Sequence, residues 1–179
     1  MNRLGLNFRS YVFLILVSMS WCGSVQADLS REYQLKAAYL LNFARFIYWP
    51  EPVISTTESF NICVIGDNPF ADSLDRLSDK KIKNKSIKVK YSSEYNPKDN
   101  CRIVYISKNK EDVFKEVIKK LNNNTVLTVS DVEGFSQQGG MIGFVRIKNK
   151  IKFEINIDQS IKSNIKYRSQ LLEVAEQLR

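Results

Sequence analysis

Between residues 30 and 49, apolar side chains recur at intervals that suit a helix: Leu35, Ala38, Tyr39, Leu41, Phe43 and Phe46. The spacing predicts an α-helix opened by Ser30 as N-cap and stopped by Pro50 and Pro52. Phe60–Ile65 is a short apolar run ended by Gly66-Asp67, which predicts a strand buried on both faces. Pro69 suits a first helical position, and Phe70, Leu74 and Leu77 give that second helix an inner side. Ile87–Tyr91 alternates apolar and polar, predicting a strand with one wet face. Cys101–Ser107 predicts another strand. An amphipathic helix through Val113, Phe114, Val117, Ile118 and Leu121 follows, then a strand over Thr125–Val129. Beyond Gly139-Gly140, the runs Met141–Ile147 and Ile151–Asn156 flank polar Lys148-Asn149-Lys150, the pattern of an antiparallel hairpin. Leu171, Leu172, Ala175 and Leu178 predict a closing helix from about Ser169.

Strands alternating with helices imply right-handed parallel crossovers. The fold class expected is α/β: a single three-layer domain, its sheet mostly parallel and flanked by helices, with an antiparallel C-terminal hairpin. Residues 1–27 stand apart from that domain. Arg3 and Arg9, the apolar run Tyr11–Val17 and the small residues of Val25-Gln26-Ala27 form the three-part pattern of a cleaved secretory signal peptide. Cleavage is expected here over an uncleaved anchor or a lipoprotein signal ending at Cys22, which Trp21 suits poorly. The folded domain is then expected over residues 28–179, outside the inner membrane.

The 179 residues carry 27 Lys and Arg against 19 Asp and Glu, a formal charge of +8, and no histidine. Absent imidazole excludes Ser-His and Cys-His nucleophile pairs and His-containing zinc sites; three cysteines exclude a four-Cys zinc site. Gly139-Gly140 lacks the spacing of a phosphate-binding loop. The expectation is a protein that is not an enzyme, with no catalytic residue, cofactor or metal. The C-terminal ends of parallel strands are where α/β sheets bind ligands, and here they carry Asp67, Ser107, Ser130 and Asp131. These residues could hold a small polar molecule, or simply cap the turns that follow. Export leaves Cys63 and Cys101 in an oxidising compartment, where they either pair or remain as buried thiols. Six lysines from Lys80 to Lys90 are expected to form a solvated face or a protected edge strand rather than a site for anionic lipid, cell-wall polymer or an acidic protein face. Nucleic acid is not an expected partner for an exported chain. Arg45, Tyr48 and Trp49, at the proline-terminated end of the first helix, serve as core plugs or as anchors of a partner surface.

Taken in order, the motifs Tyr39-Leu40-Leu41-Asn42-Phe43-Ala44-Arg45-Phe46-Ile47-Tyr48-Trp49-Pro50, Ile62–Phe70, Cys101–Ser107, Val126–Asp131 with Gly134-Phe135, Gly139–Ile142, Phe153–Asn156 and Ser169–Leu172 resemble the YfiR family of exported bacterial proteins. The resemblance implies a periplasmic repressor that binds the periplasmic part of an inner-membrane diguanylate cyclase or similar sensor. Control of cyclic-di-GMP and biofilm growth would follow. It also implies an outer-membrane, peptidoglycan-binding lipoprotein as a second partner and a capacity to form a homodimer. Cys63 and Cys101 lie where a family disulfide is expected, while a second cysteine pair of some members has no counterpart here. The competing reading is a periplasmic small-ligand-binding protein that delivers a signal to a membrane receptor.

Overall fold

The computed structural model describes residues 24–179 apart from 56, 113, 122 and 123. The expected signal peptide therefore lies, up to residue 23, outside the described residues. The first helix, α1 (Ser24–Phe46), begins before the expected cap. Ala27, Asp28 and Leu29 tolerate helix, so nothing local stops it at Ser30, whose hydroxyl instead accepts from Gln34 Nε2 at 3.3 Å. Its end is as expected: the chain leaves through β1 (Ile47–Tyr48) and Pro50, and resumes as the short α2 (Glu51–Ser55).

The buried strand β2 (Ser59–Ile65) follows. The helix expected after Pro69 does not form. Asn68 Oδ1 accepts from the Phe70 amide at 3.0 Å, and Ala71 takes a left-handed φ of 48°, a local turn that outcompetes a helix start. Only a 3₁₀ segment, Asp75–Asp79, appears later, although Phe70 and Leu74 are buried as their spacing suggested. An edge pair, β3 (Lys81–Ile82) and β4 (Lys85–Ser92), carries the lysine run. Lys83 and Lys90 pair with Glu51 (3.2 Å) and Asp99 (2.9 Å), while Lys80, Lys81 and Lys88 face water, as edge protection requires.

Then come β5 (Cys101–Ile106), α3 (Phe114–Leu121), β6 (Leu127–Ser130) and the hairpin of β7 (Ile142–Ile147) with β8 (Lys150–Ile155). Lys148 and Asn149 turn the hairpin with φ of 47° and 60°, the left-handed pair that matches strand twist in a two-residue turn. The C-terminal part holds α4 (Ile157–Lys162), β9 (Lys166–Tyr167), α5 (Ser169–Glu173) and β10 (Gln177–Leu178). The closing helix is thus shorter than expected. The amides of Glu176 and Arg179 donate to the carbonyls of Phe153 and Ile155, each at 2.9 Å, so strand pairing overrides the helical pattern through Leu178.

The main sheet runs β10-β8-β7-β6-β5-β2-β4-β3. β4, β2, β5, β6 and β7 are mutually parallel, and β7–β8 is the antiparallel hairpin, bordered by the two residues of β10. β1 and β9 form a separate antiparallel pair that fastens the end of α1. The α/β class and mostly parallel sheet agree with the sequence reading. On one face, α1 packs Leu40 and Phe43 against Ile62, Tyr105, Val129, Phe144 and Phe153; on the other, α3 packs Phe114 and Val117 near Ile65, Val104 and Phe135.

Candidate functional site

Alternation along β5 places Ile103 and Tyr105 under α1 and Val104 and Ile106 under α3. By parity alone Cys101 would join the α1 face. A register shift opposite Asn61 and Ile62 leaves Arg102 as an extra residue in β5, and this bulge turns Cys101 to the α3 face beside Cys63. The two form a disulfide with Cα atoms 5.8 Å apart, linking neighbouring parallel strands.

The opposite face carries the densest polar chemistry. Lys36, one turn from Tyr33 on α1, has a side chain only 3% exposed, and its Nζ lies 2.6 Å from Glu32 and 2.7 Å from Asp131 at the end of β6. The Tyr33 hydroxyl donates to the same Asp131 oxygen, Oδ2, at 2.7 Å, and the ammonium sits 4.2 Å from the Tyr33 ring centre. Arg146 on β7 pairs with the outer oxygen of Glu32. Below them the Tyr105 hydroxyl and Asp131 Oδ1 are buried without a well-formed hydrogen bond. Burial pushes Asp131 up, but the Lys36 charge, the Lys36 hydrogen bond and the tyrosine hydroxyls outweigh it and hold the carboxyl below its usual range. Burial first, then Asp131, raise the hydroxyls of Tyr33 and Tyr105 well above the ordinary tyrosine value. A cavity of about 330 Å³ opens over this group between α1 and the strand ends.

Of the four residues expected at a strand-end ligand site, only Asp131 borders that cavity. Ser107 is buried, and its hydroxyl donates to the Asp67 carbonyl at 2.5 Å. Ser130 is buried too; its hydroxyl donates to the Ile106 carbonyl at 2.7 Å and accepts from the Val132 amide at 3.0 Å. Both serines tie neighbouring strand ends together, the capping role rather than a shared ligand site. Asp67 is exposed, its amide donating to Asn109 Oδ1 at 3.2 Å.

The aromatic helix end divides likewise. Trp49 is 3% exposed, donates its indole N–H to the Ala44 carbonyl at 2.8 Å and meets Phe60 edge-on at 5.3 Å, so the partner surface expected there loses its tryptophan to the core. Tyr48 stays 53% exposed with the Arg168 guanidinium 4.8 Å from its ring centre, and Arg45 is exposed. Arg168 was not singled out by the sequence, and neither were Tyr33, Lys36 and Tyr105. Lys36 left one trace: a lysine on the helical stripe occupied by Tyr33, Ala37, Leu40 and Phe43.

Among the described residues no group of three or more Cys, Asp or Glu side chains is placed to hold a metal, and no helix is long and apolar enough to cross a membrane. No curated protein matches the chain. The profile of the YfiR/HmsC-like family matches residues 33–176, from Tyr33 of the polar cluster to the approach to β10. That family comprises non-catalytic periplasmic regulators of cyclic-di-GMP signalling, whose members act with membrane-associated regulatory partners. With its match spanning nearly the whole main sheet and the second half of α1, the chain belongs to the YfiR/HmsC-like family.

Proposed function

We propose that residues 1–27 direct export and are removed, and that the domain over 28–179 binds the periplasmic part of an inner-membrane diguanylate cyclase or similar sensor and represses it. The family match over residues 33–176 carries this reading. Repression requires tighter binding to the inactive state of the partner than to the active one; full switching takes about 5.5 kcal/mol of such preference. Arg45 and Tyr48, with Arg168 against the tyrosine ring, form the proposed contact surface, an aromatic flanked by cations at the end of α1. An outer-membrane, peptidoglycan-binding lipoprotein competes for the repressor in this scheme, and a homodimer is a further assembly. The test is affinity capture of the tagged protein from detergent-solubilised envelopes, with cyclic-di-GMP measured in cells lacking it. A cyclase retained by the protein, lost with Tyr48→Ala and Arg168→Ala, together with raised cyclic-di-GMP in the deletion, supports the reading. Unchanged cyclic-di-GMP in the deletion refutes it.

The cavity over Asp131 favours a second reading, capture of a small periplasmic ligand that is passed as a signal to a membrane receptor. A metabolite screen by thermal shift decides it: a stabilising compound whose effect disappears in Asp131→Asn would place the ligand there.

A further inference from the structure

Beside α1, the β7–β8 hairpin borders a groove of about 420 Å³. The helix supplies Arg31, Leu35 and Tyr39, one flank at helical spacing, and the hairpin supplies Arg146, Lys150 and Lys152. The sheet is unfinished along this groove. β10 pairs only with Glu154 and Ile155, so among the described residues the outer edge of β8 over Lys150–Lys152 has no neighbouring strand. The carbonyls of Phe153 and Ile155 point outward to accept from Glu176 and Arg179, and alternation turns the N–H and C=O of Ile151 to the same open side.

Charge marks what this edge would accept. Among the described residues Arg31 and Lys150 make no ion pair, Arg146 shares Glu32 with Lys36, and Lys152 reaches Glu176 only at 3.6 Å. Against these four cations the groove lining holds two carboxylates, Glu32, already doubly engaged, and Asp28. Leu35 is 44% exposed on the helix flank. Ile151 leans towards the α1 core and Lys150 and Lys152 to the opposite face, so an added strand would meet apolar surface on one side and cations on the other.

We propose that this groove binds an extended acidic segment of a partner protein, added as a strand to the open edge of β8 with alternate side chains apolar and acidic. Backbone hydrogen bonds to Ile151 supply the register, Leu35 and Tyr39 receive the apolar positions, Lys150 and Lys152 select the acidic ones, and Arg31 adds positive charge from the helix flank. The inference goes beyond the cyclase reading, because it specifies the chemistry of a bound segment and a surface separate from Tyr48.

The experiment is fluorescence anisotropy with the purified protein and a labelled seven-residue peptide of alternating Glu and Val. Saturable binding is expected, weakened at least about tenfold by Arg31→Glu with Lys150→Glu and by raised salt. The milder Lys150→Gln with Arg31→Gln is expected to weaken it in the same direction, which keeps the test informative should the charge reversal perturb folding. A peptide of equal charge with Pro at its centre is expected to bind poorly, since it cannot complete the ladder. Undiminished binding of the Pro peptide, indifference to the substitutions or no saturable binding would each overturn the proposal. So would a concentration-dependent dimer that occludes the site, because the groove would then hold a second copy of this chain.

Discussion

The two faces of the sheet are built on different physics. Under α1 the interior is broad and aromatic: Phe43 meets Phe153 at 5.0 Å and Phe70 meets Tyr105 at 4.7 Å, and a lysine is carried into that interior on Asp131 and Glu32. Under α3 the cluster is smaller and wholly apolar, and its distinctive bond is covalent. The apolar face is locked by chain connectivity, which is insensitive to pH. The α1 face is held at its polar end by charges that stabilise only as a complete set, and two of the four orphaned buried polar atoms among the described residues, the Tyr105 hydroxyl and Asp131 Oδ1, meet there. Capacity to respond to a ligand or partner is therefore concentrated on the α1 face, and rigidity on the other.

The largest effect should come from breaking that set. Lys36→Met leaves Asp131 and Glu32 without their buried cation and should cost about 3–5 kcal/mol, read as a lowered denaturation midpoint in urea. Replacing Lys36 by Met and Asp131 by Leu together should recover most of the loss, because the desolvation of both charges disappears with them. If the single Lys36 variant were as stable as the parent, the contrast between the faces would collapse.

On the α3 face, Cys63→Ser with Cys101→Ser should cost about 4 kcal/mol on the chain-entropy account for the 38-residue separation of the pair. This loss should be the same at pH 2 and pH 7, unlike the contribution of Asp131 in the charged cluster, which is lost in acid. Arg102 is the residue the bulge absorbs: deleting it leaves Cys101 directly before Ile103, where regular alternation still turns it to the α3 face beside Cys63, so the disulfide should still form, measured by thiol titration of the purified protein.

Gly140 tests the packing beneath the same face more gently. A Cβ built there would run into the ring of Phe135, which packs beside Phe114 at 5.5 Å. Gly140→Ala should cost about 1–3 kcal/mol by overpacking, and Phe135→Leu should relieve part of it in the double variant. The Phe135 ring thus accounts for Gly140, while Gly139 is fitted by its φ of 100°, so the pair before the hairpin needs no phosphate-loop role.

The longer strands, β2 and β4 to β8, were legible because each is a short run of apolar, β-branched or aromatic residues or a clear alternation. The disulfide was one of the two states that the cysteine pair left by the expected export allowed. The charged cluster was not. Its two halves, Lys36 and Asp131, lie 95 positions apart, and only the topology brings the end of β6 beneath the first turns of α1. Lys36 interrupts the apolar stripe it belongs to, whereas Leu35, which was counted into that stripe, faces the groove. Local turn chemistry at Asn68 and pairing at Gln177–Leu178 likewise overrode helical patterns that the sequence displays clearly. Trp49 and Tyr48, adjacent in sequence, separate only because β1 alternates, burying Ile47 and Trp49 and presenting Tyr48.

The smallest effect, and the sharpest test of the contrast, lies in acid. Asp131 is held below the ordinary carboxylate range in the folded state, so its pairing contributes stability that is fully present above the unfolded value of about 3.9 and is lost as pH falls through the lower folded value. At alkaline pH the sign reverses for Tyr33 and Tyr105: with folded values raised, their contribution is complete below about 10 and declines as pH rises through the unfolded value and beyond. Urea midpoints measured from pH 2 to 11 should therefore fall at both ends in the parent. The Lys36→Met, Asp131→Leu double variant should lose the part of the acid decline that Asp131 supplies while remaining close to the parent at pH 7. The Cys63→Ser, Cys101→Ser variant should keep the parent's pH profile, displaced downward as a whole. An acid limb unchanged by the first double variant would mean that the polar end of the α1 face holds no more free energy in its charges than the α3 face does.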